Sequence, residues 1–103
     1  MRLDELLERL KQTGFPVTYL AWPEGEDPAL PYICYFVIES NNFSADGIVY
    51  QSSNRMQIEL YTKKKDLEAE DRVEKALSSV YWEKTENYIY SEQCYQITYE
   101  IEV

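Results

Sequence analysis

The segment YICYFVIE, residues 32–39, constrains the fold more than any other part of the sequence. Seven of its eight residues are apolar or aromatic, with no polar alternation, and β-branched and aromatic types dominate. Such a run is too short for a buried helix and reads as a strand covered on both faces, expected at the centre of a sheet. The rest of the chain must supply the layers that cover it. At 103 residues and 45% hydrophobic content, one domain with one core is expected over 1–103. A domain of this size buries roughly two-thirds of the surface its unfolded chain exposes, enough to fold without metal or disulfide staples.

The flanking segments supply those layers. Leu3, Leu6, Leu7 and Leu10 follow the i, i+3, i+4, i+7 spacing of an amphipathic helix, with Gly14 suited to its end and Pro16 barring continuation. VTYLAW (17–22) has strand composition, and PEGEDPALP (23–31), with three prolines and one glycine, reads as a surface loop. In NNFSADGIVY (41–50), Asn41, Asn42, Asp46 and Gly47 favour turns, so the stretch reads as a hairpin connection leading into a short strand, GIVYQ. SSN (52–54) is expected to turn the chain again. RMQIELYT then alternates, with Met56, Ile58 and Leu60 on one face and Gln57, Glu59 and Tyr61 on the other. DLEAEDRVEKALSSV (66–80) places Ala69, Val73, Ala76, Leu77 and Val80 on one helical stripe, with Asp66 as N-cap. Two closing strands are expected around a turn near Ser91 and Glu92, the last alternating Tyr95, Ile97, Tyr99, Ile101 and Val103 against Gln96, Thr98, Glu100 and Glu102. The order predicts an α+β fold: an antiparallel or mixed β-sheet of about five to six strands with two helices packed on one face.

Composition narrows the function. The chain has no histidine, which removes Ser/His/Asp and Cys/His nucleophile arrangements and His-ligated metal sites. Its two cysteines, Cys34 and Cys94, lie sixty positions apart in strand-like segments, expected reduced and buried, and form no C-x-x-C. Three glycines are not spaced as a phosphate-cradling loop. DLEAED carries cation-type oxygens but lies on a helical pattern and reads as a solvated face. Among 19 acidic residues a close carboxylate pair is inevitable and points to no chemistry. No catalytic, cofactor-binding or metal-binding residues are therefore expected, and the protein is read as a non-enzyme.

The net charge of −9 repels phosphate backbones, and the one cationic run, Lys63–Lys65, reads as a solvated loop, so no direct nucleic-acid binding is expected. The first ten residues carry no apolar leader core, and no apolar run is long enough to cross a bilayer, so a cytosolic home off the membrane is expected. Ten tyrosines remain, at 19, 32, 35, 50, 61, 81, 88, 90, 95 and 99. Tyr88 and Tyr90 share a face, as do Tyr95 and Tyr99, and several are expected opposite the core as an aromatic interface or as cross-strand pairs. Phe43 either folds under its own loop or anchors a neighbouring chain.

The run NNFSADGIVYQSSNRMQIELYTKKKDLEAEDRVEKAL followed by ENYIYSEQCYQITYEIEV resembles small proteins of the head-to-tail joining region of siphophages and prophages of Gram-positive bacteria. The resemblance rests on an AD-x-x-x-Y hairpin (Ala45, Asp46, Tyr50), an ELYT-x-K-x-D junction (Glu59 to Thr62, Lys64, Asp66) and a terminal Y-x-x-x-Y-E strand (Tyr95, Tyr99, Glu100). It implies a virion structural protein, a tail terminator or tail completion subunit. Copies would form a ring, expected as a hexamer, that caps the tail tube and docks to the head connector. Assembly would take place in the bacterial host cytoplasm, with the product retained in the virion. Phe43, Asp46, Tyr50, Tyr61, Tyr88 and Tyr90 are the expected subunit or partner contacts. The alternative from another class is an acidic binding module or inhibitor that masks a basic protein surface, with affinity that falls steeply with salt.

Overall fold

A computed structural model describes residues 1–45 and 47–103, with the side chains of 41, 43–45 and 49–52 outside that description. Its elements run α1 (Leu3–Lys11), β1 (Val17–Tyr19), β2 (Tyr32–Ala45), β3 (Ile48–Thr62), α2 (Leu67–Ala76), β4 (Trp82–Ile89) and β5 (Cys94–Glu102). One five-stranded sheet results, in the order β1-β2-β3-β5-β4. β1 lies parallel to β2 and the other pairings are antiparallel. The fold is α+β with a mixed sheet, as the sequence predicts.

The core follows from the alternation of three strands. Register aligns Tyr35, Ile58 and Tyr99 in one row across the sheet, and Ile33, Leu60 and Ile97 in the next. Those rows, with Met56 and Ile101, are buried against Leu6 and Leu10 of α1 and against Ala69, Val73 and Leu77 at α2. The helices therefore cover a single face. Asp66 caps α2 by accepting from Ala69 N at 3.0 Å, satisfying one of the N–H groups a helix start leaves unpaired. Arg72 ties the helices together, donating to Thr13 O at 3.2 Å and standing 5.3 Å from the centre of the Phe15 ring.

Three expectations need correcting. YICYFVIE begins β2, which is second in the order beside the three-residue edge strand β1; the central strand is β3. Its two-sided cover extends only over its start, where Ile33 and Cys34 are both buried, while Ile38 is exposed. SSN does not turn the chain: Ser53 and Asn54 pair with Asn41 and Ser40, so GIVYQ and RMQIELYT are one 15-residue strand. The turn lies between Ala45 and Ile48, where Gly47 takes φ +75, a left-handed value that suits glycine. Asn41 and Asn42, read as turn residues, belong to β2. Local turn preference loses here to continued strand pairing.

The long hairpin has a consequence for shape. β3 pairs with β5 only from Arg55 onward, joined by reciprocal backbone bonds between Asn54 and Val103. Beyond that point, the strand pairing of 41–45 and 48–53 is with each other alone among the described residues. Five residue pairs at about 3.4 Å each make a two-stranded arm roughly 17 Å long. The molecule measures 49 × 28 × 22 Å, and its radius of gyration of 14.9 Å exceeds the about 13 Å of a compact chain this long.

Candidate functional site: the arm and the helix-free face

The base of the arm is fastened by side chains. Arg55 Nη1 reaches Glu39 Oε1 at 2.9 Å, and Ser53 Oγ donates to Glu102 Oε1 at 2.9 Å. Register shifts between Val37 and Glu39 and between Phe43 and Ser44 mark bulges, which sharpen local twist and steer a ribbon away from its sheet. The sequence of 40–53, SNNFSADGIVYQSS, contains one charged residue, Asp46. Proteins ordinarily guard open strand edges with charge, shortness or cover. The sheet does so here: β1 has three residues, and the outer strand β4 carries Glu83, Lys84 and Glu86. The arm is long and nearly uncharged.

The face of the sheet that bears no helix carries Gln57, Glu59 and Tyr61 of β3 beside Gln96 and Thr98 of β5. Glu59 is only 9% exposed. Gln57 and Gln96 each donate to its Oε2 at 2.9 Å, and the Tyr61 hydroxyl donates to its Oε1 at 3.0 Å. Gln96 also donates to the Tyr61 oxygen at 3.0 Å, closing the network. No cation pairs with Glu59 among the described residues; neutral donors alone hold it, which is adequate because each is itself positioned by the ladder.

Next to this network the 20–31 loop folds over the ends of β2, β3 and β5 and leaves a cleft of about 450 Å³. Trp22, Tyr32 and Tyr61 form an aromatic wall: the Trp22 and Tyr32 rings meet edge-on at 5.8 Å, and Tyr32 and Tyr61 lie 5.2 Å apart. Cys34 and Cys94 line the same cleft, with Asp27 and Glu92 among its other residues. Both cysteines are free. Cys34 is level with Thr98 through Glu59, four residues from Cys94 and two strands away. Their Cα atoms are therefore roughly 16 Å apart, far beyond the about 7 Å a disulfide spans.

Burial, reinforced by Glu59 and Asp27, pushes the Cys34 thiol up to about 11. Burial and then Glu92 raise Cys94, burial and then Asp27 raise Tyr32, and burial and then Glu59 raise Tyr61. These thiols and phenols stay protonated at neutral pH, and a protonated thiol is a poor nucleophile. The cleft offers shape, aromatic surface and negative potential.

A second cluster seals α2 to the sheet. Glu70, with 3% of its side chain exposed, meets Lys65 Nζ at 2.7 Å and Lys84 Nζ at 3.0 Å. Lys84 also holds Glu74 at 2.8 Å, whose carboxylate accepts from the Tyr99 hydroxyl at 2.7 Å. Lys65 belongs to this seam and so is not part of a free cationic loop. Among the described residues no cluster of three or more metal-type side chains is placed to hold an ion. No helix there is long and apolar enough to cross a membrane.

The expected contact residues that are described do not converge. The side chains of Phe43 and Tyr50, and all of Asp46, lie outside the described residues. Tyr61 sits in the cleft. Tyr88 opposes Tyr95, which in turn opposes Thr62, and this places it on the helix-bearing face. There Tyr88 packs edge-on with Tyr90 and Tyr95 at 4.9 and 5.0 Å, Tyr90 being 84% exposed. Tyr99, grouped with Tyr95 as a candidate aromatic surface, is fully buried beneath the helices. Sequence reasoning missed the cleft, because Trp22, Asp27 and Glu92 reach it from loops with no periodicity. Comparison with protein families finds none that matches the chain, and comparison with curated proteins finds no match either.

Proposed function

We propose that this protein is a structural subunit of the siphophage head-to-tail joining region, a tail terminator or tail completion protein that works by assembling into a ring, expected as a hexamer, on the tail tube. The observation that carries the reading is the two-stranded arm with its sparsely charged edges. A hairpin ribbon without a third strand is marginal in water, and a further strand laid along either edge would extend its ladder. A neighbouring subunit can supply that strand. Head-to-tail repetition closes into a ring when two different patches meet through a rotation that closes, and an arm standing off one end of a sheet is such a patch. Of the motif residues of the resemblance, Ala45 and Tyr50 lie in the arm strands, whereas Glu59 to Thr62 and Tyr95, Tyr99 and Glu100 belong to the sheet. The net charge of −9 suits a passage for DNA, which like charge keeps from sticking.

Electron microscopy of the purified chain, alone and mixed with isolated tail tubes, tests this. Rings of uniform diameter, or caps at one end of the tubes, are expected, unchanged between low and high salt because strand pairing is not ionic. Monomers that ignore tubes and instead bind a basic protein only at low salt would replace this reading with that of an acidic binding module.

A further inference from the structure

We propose that the cleft beside the Glu59 network is a receptor for an arginine or lysine side chain presented by a partner polypeptide. The inference goes beyond ring assembly and does not depend on it. Its first ground is the aromatic wall. Trp22, Tyr32 and Tyr61 stand together in a cleft of about 450 Å³, and aromatic faces attract cations, guanidinium above all. The second is charge. Asp27 and Glu92 line the cleft and no lysine or arginine does, so a cation entering it meets attraction without competition from within. Leu20, Leu30, Ile89 and the two neutral thiols are among the rest of the lining, an apolar bed for the methylene stem of a long basic side chain.

The third ground selects a polypeptide over a free organic cation. Trp22 Nε1–H is buried and finds no acceptor among the described residues. A buried donor left unpaired carries a cost that a carbonyl removes, and a bound peptide that shifts the loop around the indole would supply one. An ammonium or polyamine brings no acceptor; a peptide brings a cation and carbonyls together.

The test is an ¹⁵N-correlation NMR titration of the full chain with N-acetyl-argininamide, N-acetyl-citrullinamide and spermidine as probes. The arginine probe is expected to shift the Trp22 indole N–H and the Tyr32 and Tyr61 amides saturably in the millimolar range. The Trp82 indole, partly buried against the core and edge-on to Tyr99 at 5.5 Å, should stay in place. Citrulline, the same shape without charge, should bind at least fivefold more weakly. The exposed pair Asp27→Asn/Glu92→Gln should lower arginine affinity on the order of fivefold with an unchanged circular dichroism spectrum. No saturable shift, equal binding of citrulline, or retained discrimination in the double variant would overturn the proposal. Spermidine shifting the Trp22 indole as strongly as the arginine probe would overturn its polypeptide part.

Discussion

Glu70 shows how a charge is tolerated inside this small core. Burial alone would raise its carboxyl, but Lys65 and Lys84 on either side outweigh that and hold it below the ordinary value of 4.5. A depressed folded pKa means that the unfolded chain takes up the proton first as pH falls. The stabilisation is therefore fully present above the unfolded value and is lost as pH drops through the lower folded one. Glu70→Gln leaves two ammonium groups with one fewer anion, though both lysines can turn toward water. We expect a loss of about 2 kcal/mol at pH 7, measured by urea unfolding, and a smaller difference from the parent at pH 3. Cys34 gives a second residue-scale expectation. With its thiol raised to about 11 by burial and by Glu59 and Asp27, native protein at pH 8 should react with iodoacetamide far more slowly than unfolded protein, and comparable rates would contradict the buried geometry. The burial of Cys34 was legible from its strand-like segment and is found; that of Glu70 was not. Glu70 lies on a stripe of helix acids that spacing alone marks as solvated, and only the placement of β4 brings Lys84 beneath it.

At the scale of elements, the helices and the alternating strands were readable because each obeys one period, and α2 also carries a side-chain cap. Asp66 does what its position before an apolar stripe suggests, and Asp66→Ala should cost about 1 kcal/mol by thermal or chemical denaturation. The hairpin was misread because asparagine and serine are turn formers only where pairing does not claim them. Asn41, Asn42, Ser53 and Asn54 are all claimed by the ladder. The cleft was hidden for another reason: PEGEDPALP declares a loop but carries no information on which face of the sheet it covers. Replacing 41–53 by Asn-Gly would join Ser40 to Asn54, which already face each other, through a two-residue turn of a favoured type. The shortened protein should fold with its core intact and a midpoint of thermal unfolding close to the parent's, since the core residues among those described all lie outside the excised segment. A collapse of its stability would mean that the arm belongs to the folding unit and was never free to serve a partner.

The molecule as a whole joins a one-sided α+β core to a ribbon that leaves it. The core answers the question of folding: two helices on one face, buried rows on three strands and a charged seam. The ribbon and the helix-free face remain for contact with other molecules, the first through backbone edges and the second through an acidic aromatic cleft. These two modes respond differently to salt, so they can be separated in one sample series. An arm-mediated assembly should persist from low to high ionic strength, whereas binding of a basic segment at Asp27 and Glu92 should weaken as exposed charges are screened.

The most direct measurement is native mass spectrometry, supported by light scattering at micromolar to millimolar concentration, of the full chain beside the variant lacking 41–53. The full chain is expected to form one closed oligomer of defined copy number, and the variant to remain a folded monomer. A full chain that is monomeric throughout that range, or a variant that still assembles to the same copy number, would contradict the claim that the arm builds the ring.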